Sequence, residues 1–256
     1  MPIKLVNRGI HPLFSGEMVD PSPDDDIGAA APAEGSQRRS MGELAYAGLK
    51  HEIIDGDLQP ASQWLEEELA VRLGMSRTPV REALVRLEQE GFVQITPRRG
   101  IRVRELTRRD VLEVHEVLEC LELQAVEHLA GRGLGPEDMA RLDATIAGMD
   151  EALARDDVHA WARADYAFHR LIIEFAGNRH LEAVAITFLD KAQRFRVKTL
   201  ELRARPRKST SSHAATVEAI RRKDAEMALD IHRLHKRRWI REVESLIEHL
   251  GLPNGD

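Results

Sequence analysis

The sequence predicts a mainly α-helical protein in two folded parts. The first is a small unit of three helices closed by a β-hairpin, and the second an all-α bundle of six to seven helices. Three observations carry this reading. Apolar residues recur at helical spacing from Leu44 onward, with glycine, proline and capping residues between the runs. Period-two alternation is confined to a short stretch around residues 92–104. After Glu105 no strand pattern appears.

Residues 1–37 are dominated by Pro, Asp, Ala and Gly without sustained periodicity, and are expected to form a flexible tail. The first domain is expected over residues 38–105. Leu44, Ala45, Leu49, Ile53 and Ile54 mark its first helix, which Gly56 and Pro60 end. A second helix is expected from near Ser62. Leu69, Ala70 and Leu73 line its inner face, and Gly74 stops it where a left-handed residue is wanted. Ser76 is placed to cap a third helix, with Arg77, Thr78, Pro79 and Arg81 in its first turn. Val80, Ala83, Leu84 and Leu87 form the inward stripe behind them. Phe92–Thr96 and Ile101–Arg104 then alternate around the basic turn Pro97-Arg98-Arg99-Gly100, which makes a hairpin.

Helix, turn, helix and basic hairpin, in that order, describe a winged helix-turn-helix. From Arg77 to Arg104 seven arginines face Glu82, Glu88 and Glu90, a local charge of +4. Hydroxyls and a helix N-terminus hold phosphate, and arginine pairs with guanine edges. Ser76, Arg77, Thr78 and Arg81 on the helix, with Arg98 and Arg99 on the wing, therefore suit double-stranded DNA.

The formal net charge of the whole chain is −6, which does not argue against this, since a local basic surface is what DNA meets. A single cysteine, Cys120, excludes an intrachain disulfide framework and suits a reducing cytoplasm. Its neighbours Leu118, Leu121 and Leu123 suggest buried packing. No apolar run is long enough to span a membrane, and the first residues lack the pattern of a secretion signal, so a cytoplasmic location is expected.

The second domain is expected over residues 106–250, followed by a short tail at 251–256. Thr107 caps a long helix that runs to Gly131 and Gly133, and Pro136 opens the next, which ends near Asp156. A third helix covers Val158 to Ala176, a fourth His180 to Arg203, a fifth Ser212 to Arg222 and a sixth Asp224 to Leu250. Asp165 and His169, four apart, share the inward face of the third. His213 and His235 fall on the apolar stripes of the last two helices. By residue type and spacing alone, these four side chains either satisfy one another as a polar core cluster or surround a divalent ion.

Residues 41–104 resemble the DNA-binding domain of the GntR family of bacterial transcription regulators. Ile53-Ile54-Asp55-Gly56-Asp57-Leu58-Gln59-Pro60, Ser76-Arg77-Thr78-Pro79-Val80-Arg81-Glu82-Ala83-Leu84 and Glu90-Gly91-Phe92-Val93 carry the resemblance. Ala61 departs from it, because glycine commonly follows that proline. The resemblance implies that Ser76, Arg77, Thr78 and Arg81 face the operator, that Gly100 sits at the wing tip, and that a homodimer binds a palindromic site.

Residues 105–250 resemble the all-helical effector-binding domain of the FadR subfamily, the FCD domain. This implies that Asp165, His169, His213 and His235 hold a divalent metal ion, with zinc expected first and nickel, manganese or iron as alternatives. A small carboxylate effector would bind beside the ion. Leu118 stands where the subfamily often has an arginine directed at that carboxylate. Either the effector is less anionic, or Arg194 or Arg196 substitutes, and His232 is expected to touch the effector. The basic run Lys236-Arg237-Arg238 is expected to be a solvated face. The combined expectation is a repressor that metabolite binding controls, not an enzyme. The alternatives are a regulator that senses the ion itself and, further off, a metal-dependent hydrolase.

Overall fold

A computed structural model describes residues 40–255. The tail expected at residues 1–37 lies outside them.

Helix α1, Met41–Asp55, starts in a capping box: the Ser40 hydroxyl accepts from the Glu43 N–H, and the Glu43 carboxylate accepts from the Ser40 N–H at 2.8 Å. Helix α2, Glu66–Leu73, begins later than its periodicity suggests. Residues 63–64 instead form a strand, β1, paired antiparallel with a later one. Ser62 is used in the turn before it, donating to the Gln59 carbonyl and accepting from the Trp64 indole. Gly74 ends α2 at φ 64°, and α3 spans Arg77–Gln89. Ser76 occupies the N-cap position, but its hydroxyl makes no capping bond.

Strands β2, Val93–Thr96, and β3, Gly100–Val103, form the hairpin, and the sheet order is β1-β3-β2. Thr96 pairs with Gly100, so the tip is Pro97-Arg98-Arg99 and Gly100 lies at the start of β3. Its glycine is required for a different reason than a tip position. With φ at 83° it passes so close to β1 that a Cβ would run into the Trp64 carbonyl. Ala61 is held at φ 67°, where its N–H donates to the Val103 carbonyl at 2.9 Å. The left-handed backbone explains why glycine is common there. Leu49, Leu69, Val80, Leu84, Leu87, Phe92 and Ile101 fill the core of this winged domain.

The bundle comprises α4 (Arg108–Arg132), α5 (Pro136–Ala154), α6 (Val158–Phe175), α7 (Arg179–Thr199), α8 (Arg207–Arg221) and α9 (Ala225–Leu250). Thr107, Asp157, Asn178 and Asp224 cap α4, α6, α7 and α9 with side-chain acceptors. The main apolar core includes Leu118, Leu129, Leu142, Trp161, Phe168, Ile172 and Leu189. Phe195, Trp239, Val243 and Ile247 form a second, smaller one. Cys120 is exposed rather than packed, because the inward face of α4 carries Leu118 and Glu122 and turns Cys120 outward.

Residues 252–254 are docked rather than free. The carbonyls of Pro253 and Asn254 accept from the N–H groups of Arg108 and Arg109, two donors that the first turn of α4 cannot satisfy itself.

A buried polar network joins the two domains. Lys50 of α1 donates to Tyr46 (2.6 Å), to Glu90 at the end of α3 (2.9 Å) and pairs with Asp190 of α7 (2.5 Å). Tyr166 of α6 donates to the other oxygen of Asp190. Burial disfavours the Lys50 charge, but Asp190 beside it outweighs this and raises its pKa.

Candidate DNA-reading face and metal centre

The start of α3 is exposed and basic. Ser76, Arg77, Thr78 and Arg81 all face solvent, while Pro79, Val80, Ala83 and Leu84 hold the opposite face in the core. No acidic residue lies in the first turn, so its free N–H groups and the Ser76 hydroxyl remain suited to an anion. Arg77 stands 3.5 Å from Glu66 in an exposed pair, which is readily exchanged. Arg98 and Arg99 are exposed at the hairpin tip. Arg86 is directed elsewhere, stacked on the Tyr46 ring at 3.6 Å.

Inside the bundle, α6, α8 and α9 bring together the four residues singled out by spacing. His213 Nε2 lies 2.9 Å from Asp165 Oδ1, and His169 Nε2 lies 3.8 Å from Asp165 Oδ2. His169, His213 and His235 each offer a nitrogen within 4.8 Å of the others. All four side chains are buried. His169 is denied its proton mainly by burial, which pushes it down to about 3, and burial together with His213 and Lys236 holds His235 well below its ordinary value. Neutral imidazole is the form that binds metal. Neither ring nitrogen of His169 nor Nδ1 of His213 has a hydrogen-bond partner. Buried nitrogens left so are costly, and a divalent ion would satisfy them. The donor set therefore fits such an ion.

Four further residues complete the centre. Glu122 of α4 is fully buried, with Oε1 3.1 Å from His169 Nδ1 and Oε2 3.1 Å from His232 Nε2. The His169 contact is close but off line for a hydrogen bond. Lys236 forms an ion pair with Glu122. It is buried, so the run Lys236-Arg237-Arg238 is not wholly a solvated face; Lys236 turns inward, one helical turn beyond His232. Burial opposes the Glu122 charge, but His169 and Lys236 outweigh it and hold the carboxyl well below its usual range. Glu122, His169 and His232 also converge as a second possible ligand group. The Lys236 ammonium already answers the Glu122 charge, which disfavours a cation there. Arg196 reaches Asp165 Oδ2 at 2.6 Å. Of the two arginines proposed to replace the one missing at Leu118, Arg196 is at the centre. Arg194 is not, because it donates to the Arg104 carbonyl at 2.8 Å, on the side facing the winged domain. Leu118 itself packs in the main apolar core, and His232 is committed to Glu122.

A signal for Glu122 does exist in the sequence. It interrupts the stripe His115, Leu118, Ala125, Leu129, where a charge must have buried partners. Lys236 stands four residues after His232, on the same face. The sequence marks Arg196 only as a candidate to replace the arginine missing at Leu118.

Comparison with known proteins agrees with this architecture. Residues 42–103 match the family described as bacterial regulatory proteins, gntR family, and residues 113–238 match the FCD domain. An uncharacterized HTH-type transcriptional regulator in the TAR-I ttuE-ttuC' intergenic region of Agrobacterium vitis is 38% identical over 134 residues. That alignment covers 52% of this chain and 78% of the relative. The HTH-type transcriptional regulator McbR of Escherichia coli strain K12 is 35% identical over 130 residues, 51% of this chain and 58% of McbR. The solved structure of E. coli McbR/YncC superposes with a TM-score of 0.73 at 25% identity, covering 82% of this chain and 99% of that one.

Fold, exposed basic helix and relatives together define a DNA-binding transcription regulator, not an enzyme. The chain belongs to the GntR family and carries an FCD domain. Regulators of this family bind DNA operators, and small-molecule effectors through the FCD domain, which is often a metal-binding one.

Proposed function

We propose that this regulator is a metabolite-controlled repressor whose effector site is built around a divalent ion. Asp165, His169, His213 and His235 are its ligands, and zinc suits the imidazole-rich set, with nickel, manganese or iron also compatible. The observation that carries this reading is the convergence of the buried imidazoles of His169, His213 and His235, with both nitrogens of His169 and Nδ1 of His213 left without a hydrogen-bond partner. When bound, the ion would offer open coordination to a carboxylate. Arg196, now paired with Asp165, is the counter-charge for that carboxylate.

The winged domain reads a palindromic operator as part of a cytoplasmic homodimer, through Ser76, Arg77, Thr78 and Arg81, with Arg98 and Arg99 on the backbone and Gly100 shaping the wing. Domain limits of 38–105 and 106–250 accompany this reading. Effector binding would change operator affinity tenfold for about 1.4 kcal/mol of coupling.

The Arg196–Asp165 pair also favours a second reading, in which the ion itself is the signal. An arginine that holds Asp165 when no ion does makes loading reversible.

The test is elemental analysis before and after chelation, on the native chain and on His213→Ala, with DNA binding followed in parallel. About one ion per native chain, lost in His213→Ala while DNA binding survives, is expected. Stoichiometric metal retained by His213→Ala would overturn the ligand assignment. Metal loss that alone switches DNA binding would select the second reading.

A further inference from the structure

A cavity of about 110 Å³ lies where the winged domain meets the bundle, away from the four proposed metal ligands. Gly91 and Arg104 line it from the winged domain, Asp110 and His115 from α4, and Lys191 and Arg194 from α7. That space holds several water-sized groups, enough for a small polyatomic ion.

Its electrostatics are unbalanced. Arg194 is only 6% exposed, yet among the described residues it forms no ion pair, and the Arg104 carbonyl is its hydrogen-bond partner. Lys191, half-buried one turn earlier, likewise pairs with no carboxylate among the described residues. Burial pushes the Arg194 guanidinium down to about 10 and lowers the Lys191 ammonium as well. Asp110 is the one carboxylate whose field favours the charge of both, but it accepts the Thr107 hydroxyl at 2.7 Å in the cap of α4. The contrast with Lys50, on the same seam, is direct: that buried cation has two carboxylates at 2.5 and 2.9 Å. Glu105 also lines the cavity but is paired with Arg102 at 2.9 Å. Buried cations are ordinarily paired, and a guanidinium that faces a cavity with no carboxylate bonded to it is suited to an oxyanion.

We propose that this junction cavity is a binding site for a small oxyanion, a carboxylate or a phosphate, held by Arg194 and Lys191. The inference goes beyond the metal-centred reading and does not depend on it. Its position gives the ligand a regulatory meaning. Gly91 directly follows the C-cap of α3, and Arg104 closes β3, so an anion on α7 contacts the two ends of the DNA-reading element at once. Occupancy would clamp the winged domain to the bundle. His115 lines the cavity and also packs edge-on against Trp239 at 5.7 Å, which places the site next to the bundle centre without sharing its ligands.

The experiment titrates inorganic phosphate and, separately, malonate into chelator-treated full-length protein, following thermal stability and heat of binding against chloride at equal ionic strength. Native protein and His213→Ala are expected to give the same saturable response to at least one of the two anions, and the anion that responds identifies the class. Arg194→Gln and Lys191→Gln are each expected to weaken it by about tenfold or more, the effect of losing one charge-assisted contact. If Arg194→Gln does not fold, Lys191→Gln, altered at a half-buried position, decides alone. A response matched by chloride, unchanged in the folded variants, or absent for both anions would overturn the proposal. Loss of the response in His213→Ala would place the anion in the bundle centre and overturn it too.

Discussion

The seam between the domains and the centre of the bundle are both buried and both polar, yet they are finished differently. At the seam the Lys50 ammonium meets Tyr46, Glu90 and Asp190, and Tyr166 takes the remaining Asp190 oxygen. Every charge in that network has a partner. In the bundle centre Glu122, His169, His213 and His232, and beside it His115 and Trp239, each carry a buried nitrogen or oxygen atom with no hydrogen bond, while Asp165 Oδ2 is answered by Arg196. No atom of the winged domain shares that condition among the described residues. A completed network orients parts of a protein, whereas an incomplete one of this size is energetically poor unless something else is to occupy it. The difference separates what holds the regulator together from what it is built to bind.

The largest effect that sharpens this contrast is at the seam. Lys50→Met leaves Asp190 buried without its cation and Glu90 with Arg86 as its remaining cation, and should cost about 3–5 kcal/mol in urea unfolding. Adding Asp190→Asn should recover part of that loss. A cost near zero would mean the network is not the joint described here.

Next in size is the proposed operator face at the start of α3. Arg77→Ala and Arg81→Ala should each weaken operator binding by about 1–3 kcal/mol if the side chain reads a base. Their unfolding stability should stay within about 0.5 kcal/mol of the parent, as for other exposed positions. Unchanged operator binding in both would remove α3 from the interface.

The smallest effect is a pH dependence that His115 adds in the bundle. A histidine in the unfolded chain titrates near 6.5. Burial, with Lys236 and Arg196 nearby, pushes His115 down to about 3. Between those values the unfolded chain takes up a proton that the folded one excludes. Stability is therefore fully present above about 6.5 and falls as pH drops towards 3. His115→Gln should make the acid-side slope of metal-free protein shallower. Lys50, shifted in the opposite direction, stays charged throughout this window and should add no slope. An unaltered slope in His115→Gln would mean that His115 is already protonated in the folded chain.

The parts legible in sequence were those set by neighbours along the chain. Gly74 at a helix end, Thr107 as the cap of α4, and Asp165 with His169 one turn apart declare themselves within a few residues. Periodicity extends the second helix over residues 63–64, because their strand pairing is with Arg102 and Ile101, far along the chain. The segment 252–254 resembled a tail because its partners are the N–H groups of α4. Glu122 and Lys236 join the site through helix packing. The choice between Arg194 and Arg196, two residues apart on one helix, turned on which way α7 faces. One looks to the bundle centre and the other to the seam.

Helix α6 has a consequence for genetics. Its adjacent residues Asp165 and Tyr166 belong to the two networks just compared, so a single peptide bond separates the proposed sensing carboxylate from the hydroxyl that anchors the seam. On the reading proposed above, a screen for mutants deaf to their inducer should return two kinds. Some will no longer bind it. Others, clustered at Tyr166 and Asp190, will bind both inducer and DNA normally and behave as locked, dominant alleles.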